Sequence, residues 1–186
     1  MLDAVKIPDL FRGNQLKELE SWLDFETPYE SNSNWLRSPD GSHMVKSCEE
    51  LNTFHKVLTD KAREVFAVHN LLPTFSNINW YEPNVEKELH FDTGETEYTI
   101  LYNYFSDDKL VFTYNNDQLE LEQGEAIAYC GSEFEHMVGS SEGVNIRLNF
   151  NFAKPSNYFF VLGNHTNEGF EFPSGRIESE VGVDWL

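Results

Sequence analysis

Basic residues are scarce in this 186-residue chain: 13 Lys and Arg stand against 32 Asp and Glu, for a formal net charge of −19. Binding to phosphodiester backbones relies on Lys and Arg displacing counterions, so a nucleic-acid-processing role is disfavoured and no nucleic-acid partner is expected. The same field would draw in a cationic partner such as a basic peptide or an amine, although an acidic surface also serves plain solubility. Cysteine is scarcer still. Cys48 and Cys130 lie far apart in the chain, which offers neither a disulfide framework nor a paired zinc spacing, and both read as reduced structural thiols. No run approaches the roughly 18 apolar residues that span a bilayer, and Met1-Leu2-Asp3-Ala4-Val5-Lys6 lacks a basic-then-apolar leader. The expectation is a cytoplasmic protein with no membrane partner. Without that leader, the acceptor pattern Asn164-His165-Thr166 reads as incidental. No internal repeat, low-complexity tract or heptad is found, which leaves the oligomeric state open.

Aromatic residues, by contrast, make up 15% of the chain, and Phe and Tyr concentrate after residue 75. Such residues suit pleated, half-buried surfaces. The length fits one domain, 1–186, and the patterning changes along it. Residues 1–75 read as helical and loop support. Leu16, Leu19 and Leu23 recur at helical spacing, with Trp22 beside them. Ser47-Cys48-Glu49-Glu50 has the form of a capping box for a helix from Cys48 to about Val68, with Leu51, Phe54, Leu58, Ala62 and Phe66 along one side. Between them, Thr27 to Ser42 is rich in Ser, Asn, Pro and Gly and suits a loop that reaches over a site. His55 and His69, in or beside the second helix, read as packing or surface residues.

Residues 76–153 read as a β core. Tyr98 to Phe105, Leu110 to Tyr114, Gln118 to Leu121, Ala126 to Tyr129, His136 to Val138 and Val144 to Phe152 have strand patterns, with Tyr114-Asn115-Asn116-Asp117 as a hairpin turn. Residues 154–186 read as a C-terminal strand, Asn157 to Leu162, followed by an acidic tail. The fold class expected is mainly β with flanking N-terminal helices, a double-stranded β-helix of the jelly-roll, cupin-like type.

Chemistry-bearing residues fall at suggestive places on that scaffold. In Glu88-Leu89-His90-Phe91-Asp92 the alternation of a strand sends His90 and Asp92 to one face and Phe91 to the other. His136 lies far downstream, at the start of a short strand. Two imidazoles and one carboxylate can hold one face of an octahedral Fe(II) and leave the rest open. Eleven positions beyond His136 stands Arg147, in a strand whose polar-facing positions are Asn145, Arg147 and Asn149. A guanidinium there must meet solvent or a buried anion, and a dicarboxylate would satisfy it in a bidentate pair.

The order His-x-Asp, a long gap, His and then Arg resembles the 2-oxoglutarate and Fe(II)-dependent dioxygenases, in particular their prolyl-4-hydroxylase-like branch. The resemblance runs from about Asn79 to Phe152. Trp80-Tyr81-Glu82-Pro83-Asn84 is similar to the branch's Tyr-x-Pro-Gly segment. Thr99-Ile100-Leu101-Tyr102-Asn103 is similar to its aliphatic-Tyr-Leu-Asn strand, and Gly124-Glu125-Ala126-Ile127-Ala128-Tyr129 to the Gly-containing strand before the distal His. Two departures, Asn84 for a common Gly and Asp107 to Phe112 in place of a Gly-Gly-Glu-Thr stretch, bear on the substrate side.

The resemblance implies that His90, Asp92 and His136 hold Fe(II), that 2-oxoglutarate is the co-substrate with its distal carboxylate on Arg147, and that ascorbate serves as an accessory reductant. Tyr102 is the expected hydroxyl donor to that carboxylate, with Asn103 taking its place if the register slips by one residue. Tyr81 is expected to line the cofactor or substrate side. The implied activity is hydroxylation of a C–H bond, with a prolyl residue of a peptide or protein as the leading substrate and small molecules as the other class. Two further readings stand beside it: a cupin-type metal oxygenase that uses no keto acid, and a non-catalytic jelly-roll binding protein with an accidental triad.

Overall fold

The computed structural model describes residues 4–23, 36–37, 42–46, 49–85, 87–92 and 96–156. In chain order the elements are β1 (Val5–Ile7), α1 (Asn14–Leu23), β2 (Leu36–Arg37), β3 (His43–Lys46), α2 (Glu49–Phe66), β4 (Leu72–Tyr81), β5 (Tyr98–Ser106), β6 (Leu110–Tyr114), β7 (Asp117–Leu121), β8 (Ala126–Tyr129), β9 (His136–Val138) and β10 (Asn145–Ala153). They form a seven-stranded sheet in the order β1-β8-β5-β10-β4-β3-β2 and a three-stranded sheet in the order β7-β6-β9, every pairing antiparallel. An isolated bridge between His90 and His136 adds the Glu88–Asp92 segment to the outer edge of the smaller sheet. From β4 onward the chain passes back and forth between the two sheets, apart from the β6–β7 hairpin within the smaller one, which is the winding of a jelly roll.

The alternation along β10 shows how the sequence builds this arrangement. Leu148, Phe150 and Phe152 are fully buried and join Leu51, Phe54, Leu58, Ala62 and Phe66 of α2 in one apolar cluster on the outside of the large sheet. The intervening positions, Arg147, Asn149 and Asn151, line a cavity on the inner face. A second apolar cluster, including Leu101, Phe112, Tyr114, Ile127 and Val138, joins the two sheets beside that cavity. Burying aromatic and aliphatic side chains of this size stabilises by about 1.5–3 kcal/mol each.

Asparagines shape the turns. Asn115 and Asn116, with φ of 49° and 69°, make the β6–β7 hairpin turn with both central residues in the left-handed region, as a type I′ turn requires. Asn84 also has a positive φ, 63°, which explains how it stands where a Gly is common, since Asn enters that region at low cost.

The first 75 residues hold more strand than the helical and loop support expected of them. β1 pairs with β8, β3 with β4, and β4 begins at Leu72. β1, β2 and β3 are two to four residues long, too short for a period-two pattern to register. Most of the loop expected over Thr27 to Ser42 lies outside the described residues, although Leu36–Arg37 within it is a strand. Cys48, the strand expected at Asn157 to Leu162, the Asn164 acceptor pattern and the tail also lie outside them. No helix among the described residues is long and apolar enough to cross a membrane.

Candidate metal centre and its cavity

Backbone pairing sets the geometry of the three candidate ligands. His90 and His136 face each other as a hydrogen-bonded pair, N–H to carbonyl at 3.0 and 2.9 Å, so their side chains leave the ladder on the same side with ring centroids 4.5 Å apart. The Asp92 N–H donates to the Gly131 carbonyl at 2.8 Å, which turns the carboxylate toward both rings, 3.7 Å from His90 Nε2 and 3.5 Å from His136 Nε2. A methyl group at Gly131 would overlap that carboxylate, so this approach needs a residue without Cβ.

The hydrogen bonds on the far sides of the rings decide their tautomers. His90 Nδ1 lies 2.7 Å from the Glu88 carbonyl and His136 Nδ1 3.2 Å from the Phe134 carbonyl. A carbonyl can only accept, so each Nδ1 carries a proton, and each ring turns its Nε2 toward Asp92. Backbone carbonyls orient metal-binding histidines in this manner. Burial, with a smaller contribution from His90, holds His136 down at about 4, opposed by its bond to Phe134, so it is neutral at physiological pH. Burial pushes Asp92 up to about 6, against the pull of His90 and a hydrogen bond with Thr96. One ligand atom from each residue lies within 4.8 Å of the others, and bonds of about 2.1 Å to a single cation need only a modest contraction of this gap. The donor set fits a divalent metal.

The triad sits at the wall of a cavity of about 760 Å³. Its floor is the inner face of the large sheet, where cross-strand register makes a polar grid. Asn79 lies opposite Arg147, and Asn77 lies opposite Asn149. Arg147 is 2% exposed. Its Nε donates to Asn145 Oδ1 at 2.6 Å, Nη2 reaches the Gly139 carbonyl at 3.4 Å, and the guanidinium lies 3.9 Å from the centre of the Tyr81 ring. Burial lowers its pKa to about 10, which still leaves it cationic at neutral pH. No carboxylate among the described residues pairs with it. A buried cation without a counter-ion is costly, and here it lines a cavity that can receive one.

Two sequence-predicted residues are not part of this cavity. Tyr102 faces the opposite side of the sheet, where its ring packs edge-on against Phe11 at 5.0 Å and burial pushes its phenol up to about 12. Side chains alternate along β5, and Thr99 and Leu101 are the ones that line the cavity. Asn103 shares their parity but lies past them, at a register irregularity between β5 and β10. Its Nδ2 donates to Ser106 Oγ and the Leu121 carbonyl instead. Tyr81, His90, Asp92, His136 and Arg147 all line the cavity. His55 is a packing residue, bonded through Nε2 to the Asn151 carbonyl at 2.8 Å, and His69 is exposed.

Sequence reasoning passed over Tyr129, which lines the cavity with its ring 4.7 Å from that of His136 and feels the charges of both Asp92 and Arg147. Beside it, Thr99 donates to Asn151 Oδ1 at 2.9 Å, and Asn151 Nδ2 donates onward to the Phe75 carbonyl at 3.1 Å. This directed chain crosses from β5 through β10 to β4. The signal for Tyr129 was its alternation with Ile127 on a strand whose other residues are alanine.

By sequence, no protein-family profile and no curated protein matches the chain. Solved structures match its fold. A Pseudomonas putida prolyl-4-hydroxylase superposes with a TM-score of 0.63 at 9% identity, over 81% of this chain and 92% of that one. A Trichoplax adhaerens prolyl hydroxylase, in complex with a hypoxia inducible factor oxygen degradation domain peptide fragment, gives 0.59 at 10%, over 84% and 86%. HygX from Streptomyces hygroscopicus, with nickel and 2-oxoglutarate bound, gives 0.56 at 11%, over 82% and 83%. The chain has the jelly-roll fold of these oxygenases.

Proposed function

We propose that this protein is an Fe(II)- and 2-oxoglutarate-dependent dioxygenase that hydroxylates a C–H bond, with a prolyl residue of a peptide or protein as its substrate. The observation that carries this reading is the pairing, in one cavity, of a three-donor metal site with a buried guanidinium that has no carboxylate partner. A dianion with a chelating end and a distal carboxylate answers both. In a keto-acid-independent oxygenase the buried cation would be structural or would bind an acidic substrate, and a binding module would have no use for the oriented imidazoles.

In this reading His90, Asp92 and His136 hold the metal, and Arg147 binds the distal carboxylate. Tyr81 stacks on the guanidinium, Asn145 holds its Nε and the Gly139 carbonyl accepts from Nη2, which leaves the other N–H groups for the anion. Asn79 and Asn149 flank the Arg147 position and offer further neutral donors. Tyr129 takes the place expected of Tyr102 as the phenol near the co-substrate. When bound, iron and 2-oxoglutarate would supply the oxidising chemistry, with one atom of O₂ going to succinate as CO₂ is released and the other to the hydroxylated substrate; the protein contributes placement. The prolyl assignment draws on the peptide complex of the structurally similar Trichoplax enzyme and on the acidic character of this chain. Oxygen-dependent formation of succinate from 2-oxoglutarate by the Fe(II)-loaded protein tests the reading, and its absence would overturn it.

A further inference from the structure

The Glu88–Asp92 segment carries two of the three metal donors and is also the outer edge of the smaller sheet. His90 directs both of its backbone groups inward to His136. The N–H and C=O of Leu89 and Phe91 therefore point outward, and they bond no other described residue. An edge with unpaired backbone groups is a template for another strand. On the face turned away from His90 and Asp92, Leu89 and Phe91 are 45% and 53% exposed, two large apolar side chains beside an open edge.

We propose that this edge docks the substrate: an extended peptide adds antiparallel to Glu88–Asp92, with the residue to be oxidised opposite His90, apolar residues on either side of it and basic residues beyond. The inference rests on the oxygenase reading and states how its substrate lies.

The register argument is specific. Hydrogen-bonded and non-hydrogen-bonded pairs alternate along an antiparallel ladder, and His90 uses its bonds on the inner side, so on the outer side it sits at a non-hydrogen-bonded position. A residue opposite it, with Cα about 4.5 Å away, sends its side chain to the face of His90 and Asp92, beside the metal site. That residue gives no N–H to the ladder. Proline has none to give, and so fits there without loss. Its neighbours lie opposite Leu89 and Phe91, exchange backbone bonds with them and cover their side chains. The formal charge of −19 favours a basic peptide over a second copy of the same chain.

The test uses the full-length protein loaded with Mn(II), which replaces Fe(II) without turnover, and 2-oxoglutarate. Fluorescence anisotropy follows a labelled Lys-Lys-Val-Pro-Val-Lys-Lys peptide. Leu89→Ser, Phe91→Ser and N-methylation of either valine are each expected to weaken binding by about tenfold or more, while alanine for the central proline leaves it unchanged. Binding that is absent in the wild type, or indifferent to these changes, overturns the proposal. So does a concentration-dependent dimer that the serine variants dissolve, which would assign the edge to a second copy. Binding of 2-oxoglutarate, measured separately in each variant, is expected to be unchanged; its absence in the wild type would sink the oxygenase reading while the anisotropy still reports on the edge.

Discussion

The Asp92 carboxylate occupies the space that a side chain at Gly131 would fill, while the Gly131 carbonyl accepts the Asp92 N–H at 2.8 Å. The two residues meet across a turn, and the absence of Cβ on one sets the position of the other. Gly131→Ala is therefore expected to displace the carboxylate and weaken divalent-metal affinity by about 10- to 100-fold, the range seen when groups that orient ligands are disturbed. Calorimetric titration with Mn(II) measures it, and unchanged affinity would show that Asp92 does not ligate.

Arg147→Ala should raise the 2-oxoglutarate concentration needed for half-maximal turnover by a hundredfold or so, since a buried charge-assisted bidentate contact contributes about 3 kcal/mol. Metal affinity should hardly change, because Arg147 touches none of the three donors. Arg147→Lys, which keeps charge but loses the fork, should recover only part of the loss. Steady-state kinetics with 2-oxoglutarate as the varied substrate separates these outcomes.

The two phenols make opposite predictions. Tyr129→Phe removes a hydroxyl at the cavity wall and should weaken 2-oxoglutarate binding, whereas Tyr102→Phe lies across the sheet and should leave it unchanged. Equal effects from the two would contradict the placement of the co-substrate.

Metal binding should depend on pH through Asp92. Its carboxyl is raised to about 6, so below that pH a proton competes with the metal and affinity should fall about tenfold per unit, with no further gain from this group above it. His136, lowered to about 4, stays neutral throughout that window and adds nothing. Stability of the metal-free protein behaves differently. The raised carboxyl favours folding at low pH, an effect lost as pH rises from 3.8 to about 6. The depressed imidazole favours folding above its unfolded value of 6.5, an effect lost as pH falls to about 4. The two slopes oppose each other, so affinity should vary with pH far more than this pair makes stability vary. Metal titrations and denaturant melts between pH 5 and 8 measure both.

Much of the fold was legible because the decisive strands are long enough to show their period. β10 alternates polar with apolar residues, and the structure turns Arg147, Asn149 and Asn151 to the cavity and Leu148, Phe150 and Phe152 to α2. The α2 stripe from Leu51 to Phe66 was legible for the same reason. Asn115-Asn116 marked its turn through the left-handed conformations that asparagine tolerates. Three things were not legible. β1, β2 and β3 are strands by pairing rather than by pattern. The face of Tyr102 was missed although Tyr98, Ile100, Tyr102 and Tyr104 alternate with Thr99, Leu101 and Asn103, because a tyrosine hydroxyl suits a polar cavity as well as an aromatic core. The role of Tyr129 depends on its neighbours in the cavity, His136 and Arg147, which lie on other strands and meet it only when the two sheets assemble.

Anaerobic titration of the metal-free protein with Fe(II) and then 2-oxoglutarate tests the central claim most directly. The account predicts a weak visible metal-to-ligand charge-transfer band that appears with the keto acid, is lost in Asp92→Ala, and in Arg147→Ala requires far more 2-oxoglutarate. Stoichiometric metal binding with no band at any 2-oxoglutarate concentration would contradict it.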